Sequence, residues 1–244
     1  MSKEKEPVKV KPAMEKNEAL EKAKDVWARF SKPIIIICGA IIVLGGAWLG
    51  YRKLIVEPKE KKASEVIFRA ENLFGKMATN GFNTDSVAIV LNGGNLEGHK
   101  VTGVLKVISE YDGSETANRA KYIAGASYLQ IHDYDKAIKY LKEFNAHGAS
   151  QIQSKANLML GHAYAEKKNT EEALSYYKKA ADGNEKDEAT VSNALFIAAS
   201  YADAMGKTKD AITLYTKLRD NFPKSSAVSS GDVDKHLAKL GVLK

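Results

Sequence analysis

The most constraining feature of this sequence is a set of small and aromatic residues that returns at fixed intervals through its C-terminal half. Gly125, Tyr128 and Ala137 stand three and nine residues apart. Gly161, Tyr164 and Ala173 repeat those intervals 36 residues later, and Ala199, Ala202 and Ala211 repeat them after a further 38. Four residues past each last alanine comes a large side chain: Leu141, Tyr177 or Tyr215. Short polar turns (His132-Asp133-Tyr134, Lys168-Asn169-Thr170, Gly206-Lys207-Thr208) divide each copy. The apolar spacing on both sides of these turns is helical, so each copy is read as two antiparallel helices. A Gly or Ala where they cross lets the backbones close up, and the large residue packs against the next unit. One such hairpin cannot bury its apolar face alone, so the copies must stack.

These residues resemble the tetratricopeptide repeat, most closely in YLQIHDYDKAIKYL and AYAEKKNTEEALSYYKKA. The third copy departs from the pattern, with Ala202 in the usual aromatic place and Tyr201 one position early. The resemblance implies an all-α solenoid whose first helices line a concave groove. The groove-facing positions it implies are Arg119, Tyr122, Ala126 and Gln130 in the first copy and Lys155, Leu158, His162 and Glu166 in the second. Asn193, Phe196, Ser200 and Asp203 hold the same places in the third. That mixture suits an extended or helical peptide segment. The family's clamp for acidic C-terminal peptides needs Lys and Asn at several of these places, and Tyr122, Ala126, Leu158 and His162 stand there instead.

A second constraint lies upstream. From Pro33 to Tyr51 nineteen residues carry no charge, bracketed by Lys32 and by Arg52 and Lys53. A helix rising about 1.5 Å per residue needs about twenty such residues to cross a hydrocarbon core of about 30 Å. Trp48 and Tyr51 sit where amphipathic rings favour the headgroup zone. The preceding 32 residues are too long and too charged for the leader of a cleavable signal peptide. The expectation is an uncleaved single-pass anchor. Gly39, Gly46 and Gly50 share one face of that helix and would let another membrane helix approach closely. The expected organisation is a charged tail over 1–32, a transmembrane helix over 33–53, a linker helix and degenerate helical repeat over 54–115, and three repeats with a capping helix over 116–244. Within the tail, the opening Lys/Glu/Pro/Val stretch is read as disordered, and Pro12 to Ser31 as a helix.

Charge then needs a reading, because the chain carries 37 Lys and Arg against 30 Asp and Glu. Residues 1–51 hold a net +3, Arg52 and Lys53 add +2, and residues 54–244 only +2. A nucleic-acid surface needs a clustered basic stripe, and the large C-terminal part has none. The excess flanks the anchor on both sides, so charge does not decide orientation. The five histidines show no metal-ligand spacing, and no nucleophile elbow or phosphate loop is present. The Glu171–Glu172 and Glu185–Asp187–Glu188 clusters read as solvated helix starts. No catalytic, cofactor-binding or metal-binding set is expected, and the chain is read as a non-enzymatic binding protein.

The stretches EPKEKKA and AENLF, with ISEYDGSETANRAKYIAGASYL and LRDNFPKS, are similar to the YfgM-like family of ancillary SecYEG translocon subunits. That resemblance implies a bacterial inner-membrane protein with a cytoplasmic N-terminus and periplasmic repeats. It implies as partners the SecYEG translocon, a PpiD-like membrane-anchored chaperone and, through them, translocating polypeptides. Two other uses remain open on the residues alone: an envelope-assembly or cell-division scaffold, and a self-associating anchor with a cytoplasmic regulatory repeat domain.

Overall fold

The computed structural model describes residues 14–183 and 186–242. The opening stretch read above as disordered, with Pro12 and Ala13 of the expected tail helix, lies outside the described residues, as does Glu185 of the acidic cluster. The chain divides into two compact units after Pro58.

The first unit is helix α1 (Met14–Tyr51) followed by a π turn, Arg52–Val56. Helix α1 runs through Pro33 rather than starting there. Proline removes one backbone hydrogen bond, and the straight-chain and apolar helix formers on either side carry the helix past it. The large apolar side chains from Ile35 to Leu49 are exposed, Ile42 at 73%. No other part of the unit covers them. This is the one helix among the described residues that is long and apolar enough to cross a membrane. Arg52 closes the apolar run, lying 5.7 Å from the centre of the Trp48 ring and 3.7 Å from Glu57. An added Cβ at Gly39, Gly46 or Gly50 would meet nothing within 4 Å, so that face is open.

The second unit starts in α2 (Glu57–Asn80) and continues through α3 (Thr84–Asn92), a two-stranded hairpin and α4 (Val104–Glu110). The hairpin, β1 (Gly93–Leu96) and β2 (His99–Thr102), is a pair of strands that the all-helical reading above does not contain. Strands this short and rich in glycine leave no alternating signal to find. Asn83 caps α3 by accepting from the Ser86 amide at 2.8 Å. Ile67, Ala70, Leu73 and Met77 of α2 bury against Val87 and Val90 of α3, Val104 and Val107 of α4 and the next helix.

Three helical pairs then follow: α5 (Glu115–Gln130) with α6 (Tyr134–Glu143), α7 (Ser150–Glu166) with α8 (Thr170–Ala181), and α9 (Glu188–Ala204) with α10 (Thr208–Asn221). A short turn, α11 (Ser226–Ser229), leads to α12 (Asp232–Lys239), which buries Val233 and Leu237 against the last pair. The fold is therefore an α-helical repeat solenoid with one apolar N-terminal helix, twelve helices in all among the described residues.

The small residues do what their spacing requires. A Cβ on Gly125 would lie 2.5 Å from Leu141, and one on Gly161 would lie 2.4 Å from the Tyr177 ring. Both contacts are closer than atoms pack. The first helix of each pair also ends in the same way. His132, Lys168 and Gly206 take left-handed backbone conformations with φ of 61°, 60° and 70°. Each is followed by an amide that reaches back five residues, from Asp133 to the Tyr128 carbonyl, Asn169 to Tyr164 and Lys207 to Ala202, at 2.9–3.0 Å. This is the Schellman closure of a helix C-terminus, and it turns each chain segment into its partner helix.

Candidate interaction groove

The first helices α5, α7 and α9 carry the implied groove positions, and the structure uses them unequally. In the first copy, Arg119 is tied to α2: its Nε lies 3.3 Å from Glu71 and its Nη1 3.8 Å from Glu60. Glu60 also accepts from the Thr116 amide at 3.1 Å and from the Thr116 hydroxyl at 2.5 Å. Tyr122 is half-buried, its ring centre 5.3 Å from that of Phe144, and burial pushes its hydroxyl pKa up. Ala126 is buried, and of these four only Gln130 is exposed without a partner described above.

The third copy is engaged at its other end. Asp203 sits 3.6 Å from both His236 Nδ1 and Lys239 Nζ of α12. Phe196 lies edge-on to Tyr215 and to His236, each 6.0 Å away centre to centre. Asn193 remains exposed. Together with Ser192, Phe196, Lys224 and Asp232 it lines a cleft of about 610 Å³ between the start of α9 and the α11–α12 segment.

The second copy is the open one. Lys155, His162 and Glu166 are exposed along α7, around a half-buried Leu158. Ile152, 43% exposed one turn before Lys155, extends this stripe. The repeat pattern did not assign it, because it lies before the first position of the copy. Glu166 accepts from the Tyr134 hydroxyl at 3.4 Å.

Position His162 has a second role that the spacing of the repeat contains. Its Nδ1 shares a 3.0 Å hydrogen bond with the hydroxyl of Tyr177, the large residue of the same copy. Ser200, in the equivalent place, shares a 2.9 Å bond with the hydroxyl of Tyr215. In the first copy the large residue is Leu141, which has no hydroxyl, and the matching position is Ala126. A buried phenol needs a partner, and the facing residue of the first helix supplies it. Packing around the His162 ring lowers its pKa from the usual histidine value, against an opposing pull from Glu166. Burial, with lesser contributions from Tyr201 and Glu166, pushes the Tyr177 hydroxyl far above its usual range.

The early aromatic of the third copy is explained in the same terms. Tyr201 packs edge-on against Tyr177 of the preceding copy, ring centres 5.1 Å apart, while Ala202 is fully buried. On the side of the second helices, Tyr128 stacks on Tyr140 and Tyr164 on Tyr176, at 5.7 and 5.4 Å. Lys207 pairs with Glu171 at 2.5 Å and Lys178 with Asp210 at 2.6 Å, linking successive copies. Lys167 pairs with Asp135 in the same manner. Among the described residues, no three of His, Cys, Asp and Glu come together as a metal site requires.

Comparison with known proteins agrees with this geometry. Residues 154–187 and residues 193–225 each match a family model of the tetratricopeptide repeat. The two matched stretches begin in α7 and α9, and the second is the copy whose aromatic is displaced. A search of curated proteins gives no match. Two of its helical pairs thus match tetratricopeptide repeats, and repeats of this kind indicate a protein–protein interaction adaptor.

Proposed function

We propose that this chain is a membrane-anchored adaptor of the SecYEG translocon. In this reading it works with a PpiD-like periplasmic chaperone on translocating or newly exported polypeptides. The anchor is α1 within residues 33–53, with Gly39, Gly46 and Gly50 as its contact face toward neighbouring membrane helices. The N-terminus is cytoplasmic, and the repeats stand in the periplasm of a bacterial inner membrane. The choice of translocon and chaperone rests on the resemblance of EPKEKKA, AENLF and LRDNFPKS to the YfgM-like family.

One observation carries the binding reading. The two ends of the row of first helices are engaged from within the chain, by α2 and by α12, while α7 between them keeps Lys155, His162 and Glu166 exposed. A partner segment therefore docks on the second copy and the neighbouring Asn193 cleft, with Leu158 and Phe196 as its apolar floor. Such a short footprint fits a segment of a few turns rather than a long helix, and polar groups at its rim favour a reversible interaction.

The test is copurification of the tagged full chain in mild detergent. Recovery of translocon subunits and a membrane-anchored chaperone is expected, with recovery reduced by Lys155→Glu combined with Asn193→Arg. A preparation free of both, or one unaffected by these exposed substitutions, would overturn the reading. A reporter fused after the last residue is expected to be active only outside the cytoplasm.

A further inference from the structure

The β1–β2 hairpin interrupts an otherwise helical stack, and the repeat packing does not account for its outer face. Its register pairs Gly93 with Thr102, Gly94 with Val101, Asn95 with Lys100 and Leu96 with His99. Side chains alternate across a strand, and directly paired residues share a face. Gly94, Leu96 and Val101 therefore lie on the inner face, where Val101 is buried and the place of a Gly94 Cβ is 3.5 Å from Ile89. Asn95, Lys100 and Thr102 lie on the other. That outer face forms one wall of a cleft of about 440 Å³, whose lining also takes in Asn92, Gly94, Val101 and Lys106 of α4. Gly93 and Gly103 in the same cleft bring no side chain, and a Cβ on Gly103 would strike the Asn92–Gly93 backbone at 2.3 Å.

The chemistry of this cleft is one-sided. Two ammonium groups, two carboxamides and a hydroxyl surround it, and no Asp or Glu is among the described residues that line it. Lys106 does pair with Glu110 on its own helix at 3.4 Å, but both side chains are at least half exposed. An exposed pair of that kind is only weakly held in water, so the lysine is available to a stronger acceptor. Lys100 projects next to Asn95 from the strand opposite. Two cations with no carboxylate among the described lining residues, beside amide and hydroxyl groups that can donate, suit a compact oxyanion, because charge-assisted hydrogen bonds from ammonium to oxyanion are the strong ones.

We propose that the outer face of the hairpin binds a phosphate group, held by Lys100 and Lys106 and oriented by Asn92, Asn95 and Thr102. The same chemistry serves a free phosphate or the headgroup of an anionic phospholipid. The proposal does not depend on the translocon reading, since it uses none of the groove residues.

The experiment follows the backbone amides of Gly93, Gly94 and Gly103 by NMR in the isotope-labelled full chain. The chain is held in nanodiscs of zwitterionic lipid and titrated with inorganic phosphate against chloride at equal ionic strength. Saturable shifts with phosphate alone are expected, and each of Lys100→Gln and Lys106→Gln should weaken the apparent affinity about tenfold. In a second arm the nanodiscs contain phosphatidylglycerol and no phosphate is added. Shifts of the same amides there identify a headgroup as the source, and their absence alongside a phosphate response identifies a free anion. Equal responses to phosphate and chloride, no response in either arm, or titrations unchanged in both variants overturn the proposal. Both lysines are exposed, so thermal denaturation of the variants is expected to match that of the parent.

Discussion

At the scale of single residues, the left-handed turn positions separate what the repeat needs from what its sequence displays. His132, Lys168 and Gly206 hold the same backbone conformation, yet only the third is glycine. A side chain there costs about 1–2 kcal/mol, partly offset by the extra freedom glycine brings to the unfolded chain. Lys168→Gly is therefore expected to stabilise the protein by about 0.5–1 kcal/mol, and Gly206→Ala to destabilise it by about 1 kcal/mol. Chemical denaturation checks the pair, and shifts of the same sign would contradict the shared geometry. His162 gives a prediction in pH. Its pKa is lowered in the fold by packing, so the unfolded chain binds the proton more readily. The stability contributed by neutral His162 is present above the ordinary histidine pKa of about 6.5 and is lost as pH falls through and below it. Denaturation midpoints between about pH 8 and pH 5 should fall more steeply for the parent than for His162→Gln. Parallel profiles would show that the ring is not held in this way.

Helix pairs were legible in the sequence because their contacts are local and repeat. Gly125 and Gly161 sit where the helices of a pair approach closely, as their spacing implied, and there they also face Leu141 and Tyr177 of their own copies, large residues that the spacing had assigned only to the next unit. Gly161→Ala is expected to cost about 1–3 kcal/mol by overpacking, read as a lowered melting temperature. Ala199, which already carries a Cβ at the same position, should tolerate Gly with a smaller loss. The groove was less legible, for a physical reason. A repeat pattern assigns each copy the same facing positions, but it carries no information about what lies at the two ends of the stack. The engagement of Arg119 by α2 and of Asp203 by α12 arises from contacts 48 and 33–36 residues apart in the chain, outside any one copy. The hairpin escaped for the opposite reason, its strands being too short to show a period. Glu60 offers a test at this scale. Glu60→Ala removes the acceptor of two Thr116 bonds and a partner of Arg119. A loss of about 1–3 kcal/mol is expected, with faster amide exchange at the start of α5.

The whole molecule joins two parts that need different surroundings: an apolar helix left uncovered along its length, and a repeat unit with its own buried cores. The excess of Lys and Arg belongs mostly to the tail and the edge of that helix. This agrees with a binding surface built on shape and a few polar groups rather than on a basic field. The central claim is that partners dock on the second copy, where α7, unlike α5 and α9, is not engaged by the helices that flank the stack. The direct measurement places a photo-crosslinking side chain at Lys155 in intact cells, with Lys179 on the second helix of the same copy as the comparison. The account predicts a discrete crosslinked product from Lys155, containing a translocon or chaperone subunit, and none of that product from Lys179. No product at Lys155, or the same product from both positions, would contradict it.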